Sequence, residues 1–65
     1  MPKITLKAAR VNAGLTQQKA AAKLGVNKKT VGSWEKGRSL PQPTMIDKIC
    51  ELYGIEYDNI VWLVS

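Results

Sequence analysis

The ten basic side chains offer the most chemistry in this sequence, because the usual catalytic and metal-binding residues are scarce. The 65 residues include no histidine and one cysteine, Cys50, so there is no imidazole base, no internal disulfide and no cysteine-based metal cluster. Residues 1–38 carry nine Lys/Arg and one acid, Glu35, a net charge of +8, whereas residues 39–65 carry one Lys and four acids, a net charge of −3. The scarcity of catalytic residues argues against an enzyme, and a basic half on so small a chain indicates a polyanionic partner, most commonly nucleic acid.

The length and hydropathy of the chain limit its organisation. With 65 residues and 45% hydrophobic residues, it is expected to form one small folded domain over residues 1–65. The longest apolar run, residues 60–64, is far shorter than the ~20 residues of a membrane span. Together with the scarcity of metal-binding and catalytic residues, this leads us to expect a cytoplasmic protein with no membrane contact, no metal, no cofactor and no small-molecule ligand.

Short helices are expected to position the basic side chains. Glycines at 14, 25, 37 and 54 each follow a segment with helical apolar spacing, and glycine favours the left-handed conformation that ends helices. Thr5, Thr16, Asn27 and Thr44 are suitable N-terminal caps. The pattern predicts an all-α bundle of five short helices, at about residues 6–13, 17–24, 28–36, 44–53 and 57–63.

Each of the first four helices has an apolar stripe that predicts the core. The stripes are Leu6, Ala9 and Ala13; Ala20, Ala21 and Leu24; Val31 and Trp34; and Ile46, Ile49, Cys50 and Tyr53. Trp34 is interpreted as a core residue rather than a base-stacking platform, and Cys50 as a small apolar filler.

Residues 17–36 have the pattern of a helix-turn-helix. Ala21 is small where two helices must approach closely, Gly25 suits the turn between them, and Val31 is a branched residue suited to the core. The sequence resembles the lambdoid phage repressor/Cro family, also called the xenobiotic-response-element type of helix-turn-helix domain, over about residues 5–63. The resemblance rests on Arg10, Gly14-Leu15-Thr16-Gln17, Ala20-Ala21, Leu24-Gly25-Val26, Val31, Trp34-Glu35, Gly37, Lys48-Ile49-Cys50, Tyr53-Gly54-Ile55 and Ile60-Val61.

The resemblance implies a regulator that places its third helix in the major groove of double-stranded DNA, with the second helix above the backbone. The residues implied to face base edges are Asn27, Lys28, Lys29 and Ser33; those implied to face the backbone are Gln17, Gln18, Thr30, Lys36, Arg38 and Ser39. Many relatives have glutamine where Lys28 and Lys29 stand, so either lysine could contact a phosphate instead of a base. Thr30 could meet a phosphate or a thymine methyl group, and Ser33 a base edge or a water.

The same resemblance implies that Arg10 and Glu35 form a partly buried ion pair, although from the sequence alone they could be independent surface charges. One such module contacts only a few base pairs, so we expect a homodimer, free or formed only on DNA, that binds a pseudo-palindromic operator. The run at residues 60–64 cannot face inward throughout, so Trp62 and Leu63 are candidate dimer contacts. The alternative function is a protein-interaction module on the same fold, such as an antitoxin or anti-repressor component, which would use the same two residues together with the acidic segment 39–65.

Overall fold

The computed structural model describes residues 3–62, which form four α-helices, a short 3₁₀ turn and one pair of very short strands. In chain order these are β1 (Ile4–Thr5), α1 (Leu6–Asn12), α2 (Gln17–Leu24), α3 (Lys28–Glu35), α4 (Pro43–Tyr53), the 3₁₀ turn (Tyr57–Asn59) and β2 (Ile60–Val61). None of the helices in this part of the chain is long and apolar enough to cross a membrane.

Side-chain caps begin the first three helices, as the sequence predicted. Thr5 Oγ1 accepts a hydrogen bond from the Ala8 amide at 3.0 Å, and Thr16 Oγ1 accepts one from the Lys19 amide at 3.1 Å. Asn27 Oδ1 accepts one from the Lys29 amide at 2.8 Å. Each bond pairs an amide that has no partner within its own helix.

The predicted start of the fourth helix is wrong by a short distance. Helix α4 begins at Pro43, and the residue before it, Gln42, makes no side-chain capping bond. Proline suits the first helical position because its fixed φ is already helical and it has no N–H to leave unpaired. The proline therefore sets the start in place of a cap at Thr44.

Glycine ends or follows each of the four helices. Gly14, Gly25, Gly37 and Gly54 all have a positive φ, between 66° and 76°. At Gly25 this conformation lets the next amide, of Val26, donate to Ala21 O at 3.0 Å and so close the end of α2. A side chain at position 25 would be strained in this region of φ.

The core lies between all four helices and β2. Its buried members are Leu6, Ala9, Ala20, Ala21, Leu24, Val31, Trp34, Ile49, Tyr53 and Ile60. Most of the predicted stripes are therefore confirmed, but Ala13 is exposed, and Ile46 and Cys50 are only partly buried. In α1 a charged residue, Arg10, is buried instead.

The predicted fifth helix is not present in the described part of the chain, whereas the mostly helical fold with a helix-turn-helix is confirmed. A single 3₁₀ turn at Tyr57–Asn59 leads into β2, which pairs in parallel with β1 so that Ile4 lies opposite Ile60 and Thr5 opposite Val61. Ile60 and Val61 are β-branched, which disfavours a helix and favours a strand. Ile60 also fills the core from this extended position, since it is 2% exposed.

Candidate nucleic-acid interface

Helices α2 and α3 and the turn between them form a helix-turn-helix. The turn contains only Gly25, Val26 and Asn27, and Val26 is partly buried against the core beneath it. On the inner side of α3, Val31 and Trp34 are buried, so the opposite side of this helix faces solvent. One face of α3 is thus packed against the core, and the other face is exposed to solvent.

The presented face of α3 is a shallow groove, here called the α3 groove. It is lined by Gln17, Lys28, Lys29, Gly32, Ser33, Lys36 and Arg38. Six of these seven residues were implied as DNA contacts by the family resemblance, and the structure brings them onto one surface. Four of them are cationic at neutral pH, so the groove suits phosphates and the acceptor atoms of guanine.

A second shallow groove lies at the N-terminal end of α2. Gln17, Gln18 and Lys28 line it together with the end of α1, so it adjoins the α3 groove through Gln17 and Lys28. The first amides of a helix point outward without intrahelical partners and attract anions. This places the implied backbone contacts Gln17 and Gln18 beside a region that favours a negative charge.

The implied contacts not yet placed, Asn27, Thr30 and Ser39, already have hydrogen-bond partners within the chain or less access to solvent. The Asn27 oxygen caps α3, which leaves its amide N–H groups for an external partner. Thr30 is partly buried. The hydroxyl groups of Ser33 and Ser39 lie 2.9 Å apart and share a hydrogen bond, which ties the loop after α3 to the exposed side of the helix.

A network of buried polar groups fixes α3 to the first two helices. Arg10 Nε donates to Glu35 Oε2 at 2.6 Å, and Arg10 Nη2 donates to Glu35 Oε1 at 3.3 Å. Arg10 Nη1 donates to the carbonyl of Leu15 at 2.8 Å, in the loop between α1 and α2. The Arg10 and Glu35 side chains are 8% and 4% exposed, so the expected ion pair is present and largely shielded from water.

Gln17 joins the same network, which the sequence did not indicate. Its Nε2 donates to Glu35 Oε1 at 3.0 Å and so links the first turn of α2 to the last turn of α3. The acid nearest the α3 groove is therefore paired inward with Arg10 and Gln17. Because Arg10 neutralises Glu35, the carboxylate reduces the positive charge of the α3 groove less than an unpaired acid at this position would.

Two residues of α4 have pKa values above their ordinary ones. Burial raises the pKa of Tyr53 to about 12, the negative charge of nearby Glu35 adds to this effect, and Arg10 opposes it. Burial also raises the pKa of the Cys50 thiol, with a smaller contribution from Asp47. Tyr53 thus lies close to the Arg10–Glu35 pair as part of the core, and Cys50 is a partly buried, protonated thiol at neutral pH.

Gly32 is a residue of the α3 groove that the sequence reasoning missed. It lies in the interior of α3, where glycine is disfavoured, and it is not one of the glycines with a positive φ. A glycine inside a helical pattern is the signal that could have drawn attention to it.

The candidate dimer contact Trp62 is partly buried and has a partner in its own chain. Its Nε1 donates to the Tyr57 carbonyl at 3.1 Å, and the two rings stack with their centroids 5.4 Å apart. Tyr57 is 53% exposed, so the outer part of this aromatic pair is open to solvent. The other candidate, Leu63, lies outside the described residues.

Comparison with known proteins agrees with this architecture. Residues 6–60 match the sequence profile of the helix-turn-helix family. The chain is 31% identical over 58 residues to an uncharacterized HTH-type transcriptional regulator of Bacillus subtilis, covering 89% of this chain and 88% of that protein. It is 36% identical over 55 residues to an uncharacterized HTH-type transcriptional regulator of Methanocaldococcus jannaschii, covering 85% of this chain and 83% of that protein. The chain belongs to the helix-turn-helix family, of the Cro/C1 type.

Proposed function

We propose that this chain is a transcription regulator of the repressor/Cro type that binds double-stranded DNA in a sequence-specific manner. The observation that carries the proposal is the α3 groove, where Lys28, Lys29, Lys36 and Arg38 surround the exposed face of a firmly held helix. Its relatives in Bacillus subtilis and Methanocaldococcus jannaschii are named transcriptional regulators, which supports the same function.

In the proposed complex α3 enters the major groove, which is wide enough to accept a helix. Lys28 and Lys29, in the first turn of α3, donate to guanine O6 and N7 or to adjacent phosphates. Ser33 lies one turn further along the same face, where its hydroxyl reaches a base edge or a bridging water. The free amide N–H groups of Asn27, at the start of the helix, reach a base edge.

Phosphate contacts hold the helix in register on both sides of the groove. Gln17 and Gln18 contact one strand together with the free amides at the start of α2. The Gln17 amide has two N–H donors, so one can remain bonded to Glu35 while the other reaches a phosphate. Thr30, in the first turn of α3, also contacts the backbone, as do Lys36, Arg38 and Ser39 at and beyond the C-terminal end of the helix.

Selection of duplexes from a random library, followed by a salt titration, tests the proposal. We expect one enriched sequence and a linear fall of log K with log salt, with a slope of about −0.9 per phosphate neutralised. Lys48→Ala is a matched control, since it removes one positive charge from an exposed position on α4 rather than from the α3 groove. It should weaken binding much less than Lys28→Ala. If the chain enriches no sequence at moderate salt, the proposal is wrong.

We further propose that two copies bind a pseudo-palindromic operator, with half-sites about 34 Å apart. Their contact would involve the Tyr57–Trp62 aromatic pair, because Tyr57 is an exposed aromatic next to a partly buried one. A symmetric enriched site and two chains per duplex are expected. Tyr57→Ser should reduce affinity for the full site but not for an isolated half-site. An asymmetric site bound by one chain would contradict the dimer.

The exposed Tyr57 ring also favours a second candidate function, that of a protein-interaction module such as an antitoxin or anti-repressor component. This function predicts that no duplex is enriched, and that Tyr57→Ser weakens capture of the partner protein while Lys28→Ala does not. The selection experiment therefore separates the two candidates directly.

A further inference from the structure

Gly32 is a glycine that the fold itself does not require. It is the fifth of eight residues in α3, and its φ is not in the left-handed region. A Cβ built at this position would lie 3.8 Å from Gln17 Nε2 and 3.9 Å from Gln17 Oε1, which are ordinary contact distances. Alanine would therefore fit without moving a neighbour.

Folding alone would favour alanine at this position. Glycine loses more backbone entropy than alanine when a helix forms, so it destabilises a helix interior. No turn, no close packing and no unusual backbone angle at Gly32 offsets this cost. A residue that breaks a local preference without a structural reason is typical of a functional position.

The surroundings of Gly32 indicate what the missing side chain leaves room for. The residue lines the α3 groove, with Lys28 one turn before it and Lys36 one turn after it on the same side of the helix. Lys29 and Ser33 line the groove beside it. Long cationic side chains thus surround a point where the backbone of α3 is bare and partly exposed.

We propose that Gly32 is a specificity-determining residue, because its bare backbone lets the edge of one base pair approach α3 more closely than any side chain would permit. The inference rests on the proposed function, in which α3 lies in the major groove. A Cβ at position 32 would add a methyl group between the helix and that base pair. It would shift the helix outward and weaken the base contacts of its neighbours, while the longer phosphate contacts would adjust.

The test compares Gly32→Ala with a mirrored control, Ala22→Gly, in two measurements. Ala22 is an exposed interior residue of α2 that lines neither the α3 groove nor the groove at the start of α2. By helix propensity, Gly32→Ala should raise Tm by about 5 °C, and Ala22→Gly should lower it by about the same amount. Tm is measured by circular dichroism for each full-length chain.

Affinity is then measured for the enriched duplex and for a random duplex of the same length. Gly32→Ala is expected to lose about tenfold on the enriched duplex, the usual scale of one inserted methyl group, and to keep its affinity for the random duplex. Ala22→Gly is expected to keep both affinities. The stability and the specific affinity of Gly32→Ala thus change in opposite directions.

Two results would overturn the inference while leaving the proposed function intact. One is a Gly32→Ala chain that binds the enriched duplex as tightly as the wild type. The other is an equal loss on the enriched and random duplexes, which would place position 32 against the phosphate backbone. If the wild-type chain enriches no duplex, the proposed function and this inference both fail.

Discussion

Replacing Arg10 with methionine tests whether the buried polar network holds the three N-terminal helices together. The change keeps much of the aliphatic part of the side chain but removes its charge and all its donors. The Leu15 carbonyl loses a bond of 2.8 Å, and Glu35 loses bonds of 2.6 and 3.3 Å. Only the hydrogen bond from Gln17 then remains on a carboxylate that is 4% exposed.

The expected loss of stability follows from this burial. Removing one partner of a buried ion pair costs about 3–5 kcal/mol, because the other charge is left desolvated and unpaired. Domains have about 0.05–0.15 kcal/mol of stability per residue, or roughly 3–10 kcal/mol for a chain of this length. Arg10→Met should therefore lower Tm by at least about 15 °C, and at the lower end of that stability range most molecules should be unfolded at room temperature.

Urea and thermal unfolding followed by circular dichroism measure this loss. Lys7→Met is the matched control, since it removes an exposed positive charge from the same helix and should change stability by less than about 0.5 kcal/mol. The double variant Arg10→Met/Glu35→Met should be more stable than Arg10→Met, because it also removes the unpaired carboxylate. A loss below about 1 kcal/mol for Arg10→Met, the range of exposed ion pairs, would refute the reasoning.

Three other predictions concern separate parts of the molecule. Lys28→Ala and Lys29→Ala should each weaken DNA binding and leave Tm within about 2 °C of the wild-type value. If the lost contact was to a base, the variant should lose its base preference at one operator position. If it was to a phosphate, the variant should bind all sequences more weakly by the same factor, with a salt slope smaller by about 1. The Tyr57→Phe variant has Tyr53 as its sole tyrosine, so its phenolate absorbance reports the pKa of Tyr53 alone. That absorbance should titrate at about pH 12 in the folded protein and at about pH 10 in urea. Stability should therefore fall as pH rises between these values, and a folded-state midpoint near 10 would contradict the burial argument. Thr16→Ala should lower Tm by about 4–8 °C through loss of its cap, while Thr16→Ser should not.

The helices that position the α3 groove could be predicted from interactions between residues close together in the sequence. The caps at Thr5, Thr16 and Asn27 and the glycine stops depend on interactions within a few residues, so the sequence alone could predict the first three helices. The start of α4 differed from the predicted one because Pro43 and Thr44 are both suitable residues at the start of a helix. The sequence alone did not indicate which of them would begin it.

Features that depend on distant residues could not be predicted in the same way. A strand of two residues has no periodicity to detect, so the pairing of Ile4 with Ile60 was hidden behind an apolar run that also suits a helix. The bond from Gln17 to Glu35 depends on the approach of α2 to α3, and a polar side chain at a helix start does not reveal its partner. A glycine inside a helical pattern can be noticed in the sequence, but that position 32 has room for a side chain is visible only in the structure.

The parallel pair of β1 and β2 joins two segments that lie near opposite ends of the chain. Helices α1 to α4 can each begin from neighbouring residues, whereas this pair must wait until the core has brought Ile4 and Ile60 together. We therefore expect it to form late in folding and to open first on partial unfolding. Removing β1, or removing β2 together with the residues after it, should then speed hydrogen exchange at the remaining strand, because each strand is held in place by the other.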